Sequence, residues 1–166
     1  LAGTGNELMT IKTGDPMKMR QRGVTLIELL TVMVVIAIIA SIAIPSYRRY
    51  ILRAQRTDAK TALLQAQTAE EKFVLQNNFY STSMAGGPGV GLGLTGASEK
   101  GLYNIDVLPA LTNQDGTAGY TVRAQPAAVA GGQADDTDCV VFLIDGAGVR
   151  TATNSGGADN SAACWR

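Results

Sequence analysis

Apolar and polar residues are distributed along the chain in three regimes. From 24 to 44 the sequence VTLIELLTVMVVIAIIASIAI holds a single charge, Glu28. Its 21 residues reach roughly 30 Å as a helix, the thickness of a bilayer's hydrocarbon core. Beyond Pro45, which predicts a bend, the pattern becomes amphipathic. Leu52, Ala59, Ala66 and Phe73 recur every seven residues, with Leu63 between them and Leu64 and Val74 beside them. One apolar stripe is therefore predicted on a helix continuing to about Gln76 or Asn78. Gln65, Gln67, Glu70, Glu71 and Lys72 fall mostly on its wetter faces, and Arg56 and Glu70 interrupt the stripe. An Ala-rich, interrupted stripe favours packing on a small sheet over a coiled coil.

The third regime is short and alternating. Residues 81–100 carry six glycines and a proline and predict a surface loop packed by Leu92 and Leu94. Tyr103, Ile105 and Val107 then share one face of a strand at 102–107 that Pro109 ends. A turn at 113–116, a strand at 119–124, a loop at 126–138, a strand at 139–144, a turn at 145–148 and a strand at 149–153 follow. The expected fold class is α+β, a long N-terminal helix packed on an antiparallel meander of about four strands. The expected segments are 1–23, an upstream extension and leader; 24–47, a transmembrane helix; 48–78, its amphipathic continuation; 79–100, the loop; and 101–166, the sheet and C-terminal region.

The flanks of the apolar run sharpen its meaning. Lys18, Arg20 and Arg22 precede it, which holds that side cytoplasmic and sends the remainder across the membrane. A signal anchor would tolerate Glu28 one turn from the helix end, near the headgroups. A cleaved secretory signal fits less well, since the run is long and no A-x-A site follows it. A core helix fits least, because the remaining chain has little room to surround it.

The combination of a basic leader, Gly23, VTLIEL and a long apolar run resembles the type IV pilins and pseudopilins with a class III prepilin leader. The resemblance implies a pilin (lollipop) fold, cleavage by prepilin peptidase between Gly23 and Val24, and N-methylation of Val24, where the family usually carries Phe. It also implies that Glu28, the fifth mature residue, assists assembly. A carboxylate in an apolar filament core is offset by a neighbour's N-terminal ammonium, and an unpaired one disfavours misregistered subunits. Met17 would open a seven-residue leader, MKMRQRG; residues 1–16 are expected to be an upstream mistranslation or a poorly ordered tail, the alternative being a longer leader that begins earlier. The run DDTDC at 135–139 and the terminal Cys164-Trp165 further resemble PilE-type minor pilins.

The full chain is formally neutral, with fourteen basic and fourteen acidic residues. Cleavage after Gly23 removes Lys12, Lys18, Arg20, Arg22, Glu7 and Asp15, leaving the side chains at about minus two, which argues against a general polyanion surface. Arg48, Arg49, Arg53 and Arg56 cluster just past the span, where headgroup contact or pairing inside a filament explains them better than DNA. Cys139 and Cys164 are the only cysteines. In an exported segment they are expected to form a disulfide; metal binding by two thiols lacks any histidine to complete a site. Asp135, Asp136 and Asp138 lack the graded spacing of a calcium loop and are expected to be solvated loop charges. No cofactor is implied. The absence of histidine excludes Ser-His-Asp and Cys-His chemistry, and the expectation is that the chain is not an enzyme.

The function expected is a structural minor pilin of a type IV pilus, supporting assembly, twitching motility and adhesion. A type II secretion pseudopilin and a DNA-uptake minor pilin are the alternatives; a compact Lys/Arg patch at Lys100, Arg123, Arg150 and Arg166 would favour the latter. The partners implied are other pilin subunits through the N-terminal helix, the prepilin peptidase, an inner-membrane assembly platform and, before assembly, the phospholipid membrane. The localisation implied is single-pass in the bacterial inner membrane with a periplasmic C-terminal region, then a pilus at the cell surface.

Overall fold

One helix, α1 (Leu26–Asn77), runs through both the apolar and the amphipathic regimes and continues through Pro45. It belongs to a computed structural model that describes residues 23–108, 119–128 and 132–166. The upstream extension and the basic leader up to residue 22, Pro109 and the turn expected at 113–116 lie outside the described residues. The chain divides into two compact units, Leu1–Ser41 and Ile42–Arg166. In the apolar run, every large hydrophobic side chain from Val24 to Ile44 is more than half exposed. The helix is long and apolar enough to cross a membrane.

The stop of α1 is local chemistry. Asn78 takes a left-handed backbone conformation (φ 62°), and its N–H donates to the Val74 carbonyl at 2.8 Å. Phe79 then turns back so that its ring meets Phe73 edge-on at 5.6 Å. A left-handed residue just past the helix, followed by an apolar contact to its last turn, satisfies carbonyls that would otherwise be orphaned.

The second unit contains a four-stranded sheet, β1 (Tyr103–Leu108), β2 (Thr121–Pro126), β3 (Val141–Asp145) and β4 (Arg150–Thr153), in the order β1-β2-β3-β4. All neighbours are antiparallel, so the fold is an α+β arrangement of a long helix on an open meander. β2 reaches Pro126, two residues beyond the expectation. Pairing with β3 ends at Ala124, so the proline's missing N–H breaks no bond of that ladder. Both edges are covered. Ile105 donates to the Gly96 carbonyl and Ser98 to that of Tyr103 beside β1, while Asn160 donates to Ala152 beside β4. Covered edges leave little template for pairing with a foreign strand.

The core joins Ala59, Ala62, Leu63 and Ala66 of α1 to Tyr103, Ile105, Val122, Phe142 and Ile144 of the sheet. Small alanines let the helix approach the sheet closely, while the aromatics supply most of the buried apolar area. The buried face of α1 also includes Arg56, Asp58 and Glu70, which corrects the reading of Arg56 and Glu70 as interruptions and of Glu70 as wet. Arg56 and Glu70 each lie seven residues from Leu63, and residues seven apart fall on the same face of a helix. The helix therefore buries charge along its seam, and those charges need partners.

Candidate functional site

Gly23, Val24 and Glu28 lie at the start of α1, all exposed. A Cβ at Gly23 would meet nothing within 4 Å among the described residues, so none of these requires glycine there. Thr25 and Glu28 face each other reciprocally: the Thr25 N–H donates to Glu28 Oε2 at 3.4 Å, and the Glu28 N–H to Thr25 Oγ1 at 3.3 Å. This is a capping box, which uses two of the N–H groups that every helix start leaves open and sets a carboxylate at the positive end of the helix dipole. The Thr-x-x-Glu spacing of Thr25 and Glu28 is the sequence signal of this box.

Further along α1, Arg56 grips Asp136 with two hydrogen bonds, from Nε at 2.7 Å and Nη2 at 2.8 Å. Gln133 Nε2 donates to the same carboxylate at 2.8 Å, and the backbone N–H groups of Asp138 and Cys139 complete its shell. Asp136 is 3% exposed, so it is not the solvated loop charge expected of it; Asp135 and Asp138 are exposed. A fork of donors matched to a carboxylate compensates the desolvation of both ions, whereas losing one partner of such a buried pair costs about 3–5 kcal/mol. Burial, then the nearby Asp136 charge, push the Tyr103 phenol up.

Asp136 thus fixes the backbone at Cys139, whose sulfur is bonded to Cys164. The disulfide ties a one-turn helix, α2 (Ser161–Cys164), to the sheet, and Trp165 donates from Nε1 to the Thr151 carbonyl at 3.0 Å. Arg150 stands over the Trp165 ring, 5.5 Å from its centroid. Arg123 pairs with Asp106 across β1 and β2, its Nη2 at 2.7 Å. Lys60 donates to the main-chain oxygen of Arg166 at 2.6 Å, and its ammonium is pushed down by burial and by the Arg56 charge. The compact patch considered at Lys100, Arg123, Arg150 and Arg166 is therefore compromised at Arg123. A cleft of about 420 Å³ instead gathers Arg53, Arg56, Lys60 and Arg166, with Asp138 at its wall.

Residues 45–142 match the family model described as type IV minor pilin ComP, DNA uptake sequence receptor. The chain belongs to the type IV minor pilin family. Residues 18–44 match the prokaryotic N-terminal methylation motif. Prepilin peptidase-dependent protein D of Escherichia coli (strain K12) is 32% identical over 107 residues, covering 64% of this chain and 73% of that protein. Type IV major pilin protein PilA of Myxococcus xanthus is 42% identical over 62 residues, 37% of this chain and 28% of that protein. Type IV major fimbrial protein FimA of Dichelobacter nodosus is 44% identical over 69 residues, 35% of this chain and 43% of that protein. The pilin thus spans less than half the length of two of these relatives. Membership implies assembly with other pilins and processing by prepilin peptidase. Two of these relatives are named as a major pilin and a major fimbrial protein, and the N-terminal helix of this pilin fits a membrane anchor that is later assembled into a pilus.

Proposed function

We propose that this minor pilin is cut between Gly23 and Val24, methylated at Val24, and packed through 24–44 into the helical core of a type IV pilus with Glu28 guiding its registry. The observation that carries the reading is the juxtaposition of the methylation motif at 18–44 with an apolar helix half that nothing among the described residues covers. Such a surface is stable in lipid or against other apolar helices, and not in water. Before assembly the subunit rests in the inner membrane with 45–166 in the periplasm, where an assembly platform extracts it. At the cell surface it supports pilus assembly, twitching motility and adhesion in a structural rather than catalytic role. Mass spectrometry of protein from cells with and without prepilin peptidase tests the processing step. The expected mature terminus is methylated Val24, present only with the peptidase; a terminus elsewhere contradicts the assignment.

A second reading, DNA uptake, is supported by the description of the matching family and by the cationic cleft of Arg53, Lys60 and Arg166. Phosphate contacts of this kind weaken steeply with salt. Replacing all three by Gln is expected to remove most duplex retention at low salt; unchanged retention argues against the cleft as the site. The secretion pseudopilus is compatible with the same fold.

A further inference from the structure

The three arginines exposed just beyond the span, Arg48, Arg49 and Arg53, stand on the flank that the topology sends across the membrane. Basic residues close to a span favour the cytoplasmic side, so these three oppose the orientation that the leader imposes. Arg56 has its own use in the Asp136 pair. Arg53 lines the cleft beside Lys60. Arg48 and Arg49 line a different cavity, of about 680 Å³, whose wall includes the apolar side chains Pro45, Ile51 and Leu52 and the exposed Asp135.

This cavity begins at Pro45, one residue after the apolar run ends at Ile44. With 24–44 in the hydrocarbon core, Arg48 follows by about one helical turn and lies at headgroup depth. Tyr47 and Tyr50, both largely exposed, are the amphipathic rings that settle at that depth. Charge at the cavity is unbalanced. Arg48 meets Asp135 only loosely, at 3.7 Å with both side chains exposed, and Arg49 forms no ion pair among the described residues. Two guanidinium groups against one carboxylate leave a net positive site, while the apolar wall suits the glycerol and upper acyl chain of a lipid.

We propose that Arg48 and Arg49 hold the phosphodiester of an anionic phospholipid headgroup in this cavity while the pilin waits in the membrane. Guanidinium forks match phosphate oxygens bidentately, and the apolar wall distinguishes a lipid from free phosphate. The site retains the waiting subunit at one depth, and its lipid must leave when neighbouring pilins replace the bilayer. The inference rests on the reading of 24–44 as a membrane span.

The test uses the full chain reconstituted in phosphatidylcholine nanodiscs containing a minor fraction of phosphatidylglycerol. The lipid that stays with the protein after transfer to detergent is then quantified by mass spectrometry. The wild type is expected to enrich phosphatidylglycerol, and Arg48→Gln with Arg49→Gln to lose about fivefold or more of it. Lys72→Gln, an exposed cation outside the cavity and the cleft, should leave it unchanged, and Asp135→Asn should raise it by removing the competing carboxylate. Equal enrichment in the wild type and the Arg48/Arg49 variant overturns the site. Full displacement by inorganic phosphate overturns the lipid as ligand, and reduced retention in Asp135→Asn overturns the anionic headgroup. Incorporation into the nanodisc is scored separately: a wild-type chain that fails to enter bilayers brings down the span reading together with this inference, whereas normal incorporation without enrichment overturns this inference alone.

Discussion

Glu70 is the residue whose surroundings demand the most of the fold. It has 0% exposure, one oxygen takes the Ser81 N–H at 3.0 Å, and the other has no partner among the described residues. Burial pushes its carboxyl above the ordinary 4.5; the Ser81 bond lowers it and the Glu71 charge raises it further. An acid whose proton is held more tightly in the folded state gives stability that is fully present below its ordinary value. That stability is lost as pH rises through the folded one. The wild type is therefore expected to lose stability as pH climbs from about 4.5, and Glu70→Gln, which keeps the shape without the charge, to lose less. Urea melts across pH read this as a gap between the two proteins that widens upward; parallel curves contradict it. The sequence places Glu70 seven residues from Leu63, so its face was legible. Its burial was not, because a single charged residue on a stripe looks the same whether the opposing surface is water or a folded connector.

At the scale of elements, α1 and the meander were legible because each has its own period. The stripe of Ala59, Leu63, Ala66 and Phe73 and the alternation of Tyr103, Ile105 and Val107 each depend only on neighbours in sequence. Strand ends moved by a residue or two where the ladder, not the local sequence, decides them, as at Pro126. The Arg56–Asp136 contact was illegible for a different reason. Its partners stand 80 residues apart, and nothing near either one announces the other. That contact and the Cys139–Cys164 bond together hold the C-terminal segment on the sheet. Closing a loop with a sequence separation of 25 is worth about 3 kcal/mol in the chain-entropy account. Cys139→Ala with Cys164→Ala should lower stability by about that amount, measured in denaturant, and should free Trp165 from its packing on Phe142, read as a red shift in fluorescence. An unshifted tryptophan would show that Asp136 and the Thr151 bond hold the tail without the disulfide.

For the whole molecule, the two compact units answer to different solvents. Among its described residues the second builds a core on a sheet with covered edges, and its buried charged groups each hold at least one hydrogen bond or ion pair. The described residues of the first form an apolar helix whose large hydrophobic side chains are all more than half exposed, and that helix begins with the Thr25–Glu28 box. In the single subunit that box already gives Glu28 a local use at the helix start. The account adds a second use, in which the carboxylate meets a neighbouring subunit's N-terminal ammonium once lipid is replaced by other pilins. The most direct measurement is recovery of the Glu28→Ala pilin in sheared pili, normalised to its level in the membrane. The account predicts unchanged membrane levels and a fall in pilus recovery of about tenfold, the scale of a lost charge-assisted contact. Equal recovery of the wild type and Glu28→Ala would contradict it.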